Sequence, residues 1–335
     1  MKRILAVMIC FGLFITALAA APLAAAAATG KTSVSGWDQA SAEQYAAEHG
    51  MLPQSALLPT GDKVKDWKAC KEKLDTCGQI TFLPGCTYLL HSYLNPPSGT
   101  KIYADQATIK LKSYKTGIMN DLDDRKGAYT DGIEIFGGDW QMYYIKKPDG
   151  WSTAFRFIHA KNISMKNMKV VSNYSCHIVE LIACQNVLID NCTLEMAPNS
   201  LYPDAKNEAI QLDFASNEKN ARPVYRDLKP CENVTITNNA LKFYRGVATN
   251  VRSGEGGREY KIKYKNIVIS GNTITSTRGC GLYMTNVENL TMENNTLKGS
   301  YSTAAITTRN LTGTLIGPKS MSRLTVKALK SGAAK

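Results

Sequence analysis

The sequence predicts an all-β fold, a solenoid of stacked parallel strands behind an N-terminal capping helix. Three observations predict it. An asparagine-anchored motif recurs along the chain, its shortest spacings are 21 to 24 residues, and each copy alternates apolar and variable positions with period two. The copies are "NISMKN" from Asn162, "NVLIDN" from Asn186, "NVTITN" from Asn233, "NIVISG" from Asn266 and "NLTMEN" from Asn289. A further apolar residue follows eight places after each first Asn: Val170, Leu194, Leu241, Ile274 and Leu297. "GIEIFGG" from Gly132 reads as an earlier copy, and "NLTGTL" from Asn310 as a degenerate last one. Repeats this short cannot bury a core alone and must stack. Asparagine suits the corners because it tolerates left-handed backbone and its amide can bond to the same residue one coil away.

The seven starts are separated by 30, 24, 47, 33, 23 and 21 residues. The short gaps give the basic coil and the longer ones carry insertions. The 47-residue gap between Asn186 and Asn233 predicts two coils.

The chain begins outside this pattern. Lys2 and Arg3 precede an apolar run from Ile4 to about Ala20, followed by "AAPLAAAAATG", the pattern of a secretory signal with cleavage between Ala21 and Thr29. The rival is an uncleaved anchor, since the run is nearly long enough to span a bilayer. The expected layout is 1–28 signal peptide, 29–60 linker, 61–317 β-helix domain and 318–335 basic tail, in a protein that is secreted or held at the cell surface. No stable membrane insertion is expected after cleavage. Of nine cysteines, Cys10 lies in the signal. Cys184 and Cys192 sit at interior positions, and Cys70, Cys77 and Cys86 are the better bridge candidates. No CxxC pair occurs, so no metal site is expected. The net charge of +12, with five basic and no acidic residues from Lys319 onward, suits either solubility or a polyanionic partner. Acidic polysaccharide, teichoic acid and nucleic acid are the polyanions open to a basic exported protein, and the expected partner is a polysaccharide, not nucleic acid.

The repeat resembles the right-handed parallel β-helix of the pectate-lyase-like superfamily. "GDKVKDWKACKEKLDTCGQITFLPGCTYLL" resembles its capping helix and first coils, the match being carried by Leu83, Pro84, Gly85, Thr87 and Tyr88. The resemblance covers about Gly61 to Gly317 and implies the fold; that fold hosts lyases, hydrolases, epimerases and adhesins. "YTDGIEI" from Tyr129 is similar to the first acidic motif of polygalacturonases, with Tyr129 in place of Asn. Their paired aspartates, His-Gly and Arg-Ile-Lys motifs do not follow, so their catalytic residues are not carried over. "HIVEL" and "EAIQLD" resemble a motif of bacterial β-helix proteins related to polygalacturonases, which implies a carbohydrate ligand.

Counting back from each anchor places a second strand per coil. Phe155 and Phe157, Val179 and Leu181, and Leu282 and Met284 precede their Asn by seven and five residues, and Ile210 and Leu212 fit between. These predict inward positions, so their neighbours face out. One outward column then holds Arg156, Glu180, Gln211 and, further on, Tyr283. The next holds Ile158, Ile182, Asp213, Asn250 and Thr285. His177 and Glu208 occupy equal places at the strand starts. A solvated sheet face would also be polar, with Arg156 over Glu180 as an ordinary cross-strand pair. Against that, acid, base and imidazole crowd into adjacent coils.

Glu180 and Asp213, one coil and two residues apart, are about 8 Å apart by strand geometry, within the spacing of inverting glycoside hydrolases. The expected catalytic set is therefore Glu180, Asp213, His177 and Glu208. Arg156, Gln211, Asn250, Arg252 and Tyr283 are the expected substrate contacts. The leading expectation is a glycoside hydrolase acting without a cofactor on a polysaccharide. A lyase or epimerase on an acidic glycan is the alternative, with Arg156, Arg252 or Lys242 neutralising a uronate, His177 as base and calcium as an added requirement. A surface glycan-binding protein is the third.

Overall fold

The structure is a computed structural model that describes residues 36–113, 116–122, 128–144, 152–174, 176–197, 207–215, 227–250, 262–277, 279–299, 306–316 and 326–328. The expected signal peptide, Arg252 and most of the basic tail lie outside these residues. Among the described residues no helix is long and apolar enough to cross a membrane.

The chain is a right-handed parallel β-helix, and each coil contributes strands to three faces. The first face stacks strands Phe155–Ile158, Val179–Ile182, Glu208–Asp213, Arg245–Asn250 and the first half of Leu282–Glu293. The second stacks Thr130–Phe136, Ala160–Lys166, Gln185–Asp190, Glu232–Thr237, Tyr264–Ser270 and the second half of Leu282–Glu293. The third is a separate sheet of eight strands. Every pairing between described strands is parallel, and from Gly132 to Asn289 the register follows the sequence repeat. Val187, Val234, Ile267 and Leu290 stack in one column, and Ile189, Ile236, Ile269 and Met292 in the next. All eight are buried. So are the eight side chains expected to point inward from the first face. Parallel strands buried this way are joined by right-handed crossovers, as the twist of each strand demands.

The corners explain the asparagines. Asn162, Asn186, Asn233, Asn266 and Asn289 all adopt left-handed backbone, with φ of 54–57°. Each amide donates to the side-chain oxygen of the preceding one at 2.8–3.0 Å, and Asn162 donates to Asp131 at 2.7 Å. The motif's closing residues, Asn167, Asn191, Asn238, Gly271 and Asn294, form a second left-handed column. A third column was not anticipated. Asn239, Asn272 and Asn295 turn inward and are buried, and each amide donates to a carbonyl of the preceding coil. Its sequence signal is the residue that follows each closing Asn or Gly, in "NNA", "GNT" and "NNT".

Four expectations are corrected. Val187 pairs directly with Val234, so the 47-residue gap holds one coil of this face and not two. Asn310 stacks on Asn286, to which it donates at 2.6 Å, while Gly313 sits against the Asn289 amide oxygen. The last repeat therefore starts three residues later than its Asn suggests. The 29–60 linker contains a helix, α1 (Gln39–Glu48), with Asp38 and Ser41 in a capping box. It also contributes a strand, Ala56–Leu57, that pairs with Gln79–Phe82, because Ala42, Ala46, Ala56 and Leu57 have core to bury. Likewise Val326–Ala328 of the tail pairs with Ile306–Thr312.

The capping helix is α2 (Lys63–Cys77). Asp62 accepts from the amides of Val64 and Lys65 at its start, and left-handed Gly78 ends it. Buried Asp66 ties it to the first coil, accepting from Thr60 and from the Leu89 amide at 3.0 Å. All eight cysteines of the described chain are thiols, including Cys70, Cys77 and Cys86. Cys70 and Cys86 are buried as small hydrophobes, and the Cys77 thiol donates to the Lys73 carbonyl at 3.2 Å.

Candidate active site on the first face

The outward side of the first face is not a solvated surface. Glu180, Glu208 and His177 are each 6% exposed, Gln211 2% and Asp213 7%. By contrast, the outward residues of the second face, such as Lys161, Asn162 and Ser164, are half-buried or exposed. This difference separates a built cluster from the ordinary polar face that periodicity alone allowed, because buried charges must find partners.

The partners form three columns. In the central one Arg156 pairs with Glu180, Nε to Oε2 at 2.8 Å, and the Thr153 hydroxyl donates to the same oxygen at 3.1 Å. Gln211 stacks on Glu180 and turns its amide to donate to Asp213 Oδ1 at 2.8 Å. Beside it, His177 Nδ1 lies 3.4 Å from Glu208 Oε2, and Arg245 Nη1 donates to Glu208 Oε1 at 2.8 Å. On the other side Asp213 stacks on Ile182, which stacks on Ile158. These two isoleucines pack with Ala183 and Ala215, and with Met119 and Leu122, as an apolar strip on the outside of the helix.

Asp213 therefore has hydrocarbon on one side and negative charge on the other. Its pKa is pushed up to about 8, first by burial and then by the charge of Glu180, with Glu208 adding; Gln211 and Arg156 only partly oppose this. At neutral pH it holds a proton. For Arg245, burial works against the charge, but Glu208 outweighs it and the net shift is upward. Cys176 and Cys280 flank the cluster as neutral thiols, pushed up chiefly by burial. Neither is poised as a nucleophile.

Arg156, His177, Glu180, Glu208, Gln211 and Asp213 thus converge as the sequence pattern predicted. Tyr283 joins them from further along: the Arg245 guanidinium lies 5.5 Å from its ring centre. Asn250 pairs with Asp213 along the strand. Lys242, invoked for a lyase, lies exposed on the third face, stacked on Glu195, and is not part of the cluster. Arg245 and Thr153 were missed. Arg245 was readable, since it precedes inward Val247 by two residues, as Glu208 precedes Ile210 and His177 precedes Val179. Among the described residues no group of three or more His, Cys, Asp or Glu side chains is placed to hold a metal ion.

No family model matches the sequence. No curated protein matches it either. Solved structures do match. PfbA, a surface adhesin of Streptococcus pneumoniae, aligns over 82% of this chain and 79% of its own at 17% identity, with a TM-score of 0.51. The tailspike of E. coli bacteriophage HK620, in complex with a pentasaccharide, covers 76% of this chain and 63% of its own at 10% identity and TM-score 0.38. Endo-xylogalacturonan hydrolase from Aspergillus tubingensis covers 81% and 91% at 14% identity and TM-score 0.35. At such identities the likeness is one of fold, and the chain takes its place among right-handed parallel β-helix proteins.

Proposed function

We propose that this is an exported glycoside hydrolase that cleaves a polysaccharide by inversion on its first face, with Asp213 as general acid and Glu180 as general base. The observation that carries the reading is the contrast between the two carboxyls. Asp213 is held protonated near pH 7 by burial and neighbouring charge. Glu180 is instead in contact with Arg156 and a threonine hydroxyl. Two carboxyls whose surroundings differ in this way are suited to opposite roles. Their offset of one coil and two residues, about 8 Å, leaves room for a water. Glu180 takes a proton from that water as its oxygen attacks the anomeric carbon. The glycosidic C–O bond breaks, and Asp213 gives its proton to the leaving oxygen. Exchange with solvent then restores both groups.

His177 and Arg245 hold Glu208, which keeps negative charge near Asp213. Arg156 orients Glu180, and Tyr283 offers a ring face to a sugar. The lyase or epimerase reading is less well supported, because Arg156 and Arg245 are each already engaged with a carboxylate. The adhesin among the fold's relatives motivates a binding-only alternative. Assaying the secreted protein against a panel of neutral and acidic polysaccharides separates the three. New reducing ends without unsaturated products support hydrolysis. Unsaturated products would replace it with a lyase, and retention on a glycan without cleavage would leave only binding.

A further inference from the structure

The first face continues past the carboxylates. Met119 stacks directly on Arg156, so the outward column that holds Glu180 runs on by one more coil toward the N-terminus. There the surface opens into a cavity of about 300 Å³ lined by Tyr93, Asn95, Thr116, Met119, Asp121 and Leu122, among others. Met119 and Leu122 also pack against the apolar strip beneath Asp213, so cavity and cluster share one floor. The strand carrying Met119 is two coil spacings from that of Glu180, roughly 10 Å.

The lining is chemically specific. It combines one aromatic ring, two apolar side chains, amides, a hydroxyl and one carboxylate, and among the described residues no lysine, arginine or histidine lines it. The Asn95 amide is fixed by donating to the Met119 carbonyl at 2.9 Å, which sets its oxygen as an acceptor. An aromatic residue beside amide and carboxylate oxygens that can accept from sugar hydroxyls suits a pyranose. The Asp121 carboxylate would repel a uronate, and the nearest arginine along the column, Arg156, is paired with Glu180. Arg245, also on this face, is paired with Glu208, and several described lysines lie on the other two faces. Lys161 and Lys265 sit on the second face opposite Asp131 and Glu232, and Lys242 is on the third.

We infer that this cavity is a sugar-binding subsite on the same face as the carboxylates and that it takes an uncharged pyranose unit, so that the substrate is a neutral glycan. This rests on the hydrolase reading only for its link to cleavage; binding at the cavity stands apart from it.

Met119 provides the probe. In protein carrying ¹³C-methyl methionine, with the signal assigned through Met119→Leu, neutral hexasaccharides of the cello, xylo, manno and chito series are titrated alongside oligogalacturonate. At least one neutral series should move the Met119 methyl signal in a saturable way, and oligogalacturonate should not. Tyr93→Ala should weaken that binding tenfold or more with an unchanged melting temperature, and Tyr93→Phe should retain it. A response to oligogalacturonate, or none to any neutral series, overturns the subsite. Cleavage of a panel polymer with no Met119 response would sink the subsite and leave the hydrolase. A Met119 response with no cleavage of any polymer would do the reverse.

Discussion

Replacing Asp213 by Asn should stabilise the protein above neutral pH while disabling it. The carboxyl is 7% exposed, lies against Ile182 and faces Glu180 and Glu208, and its pKa rises to about 8. In the unfolded chain it would ionise near the ordinary value of about 4. Between those values the folded state holds a proton that the unfolded state has lost. Stability from this group is therefore fully present below pH 4 and is lost as pH rises through 8. The shift is about 4 units at about 1.4 kcal/mol each, an upper bound of about 6 kcal/mol. Relaxation around a buried ion reduces that to about 2–4 kcal/mol. Asparagine keeps the oxygen that accepts from Gln211 and never ionises.

Urea unfolding at several pH values measures this without any substrate. At pH 9 the Asp213→Asn variant should exceed wild type by about 2–4 kcal/mol, and at pH 4 the two should agree within about 1 kcal/mol. A variant no more stable than wild type at pH 9, or one with the same slope against pH, would refute the account of Asp213 as a carboxyl held neutral by its surroundings. The acid role would fall with it. A gain in stability on removing a polar group is the usual sign that the group was retained for function.

The remaining predictions concern activity, core and export. Glu180→Gln and Asp213→Asn should each lower turnover on a cleaved polymer by about 100-fold or more, and full activity in both would send the search to another face; wild-type turnover should also fall as pH rises through about 8, where Asp213 loses its proton. Asn272→Ala strips the Asn239 amide and the Ile236 carbonyl of a buried partner and should cost about 2–4 kcal/mol by chemical denaturation. Asn186→Ala, on the exposed ladder, should cost less, and equal costs would count against the inward column as the stronger brace. Ile236→Asp places a charge in the stacked core and should prevent folding, so a wild-type circular dichroism melt would contradict the register. The secreted protein should begin between Pro22 and Thr29 by intact mass, and retention of Met1 would favour an anchor.

Period and spacing alone determined the solenoid and which side chains of its strands point inward. Each coil repeats one local rule, and parallel stacking at a fixed rise turns a sequence offset into a spatial one. For the same reason the offsets of Arg156, Glu180, His177, Glu208, Gln211 and Asp213 from their inward neighbours sufficed to assign all six to one face. Three things were decided only in three dimensions. The coil count across Asn186 to Asn233 depended on which strand Val187 met, and sequence distance does not distinguish a long excursion from an extra coil. The start of the last repeat depended on Asn310 pairing with Asn286, a corner that the same residue type serves equally well. The cluster's character depended on burial. Periodicity tells a side chain which way to point but not what covers it, so a solvated ion pair and a buried acid held at a raised pKa read alike in sequence until Asp213 is seen against Ile182 and Glu180.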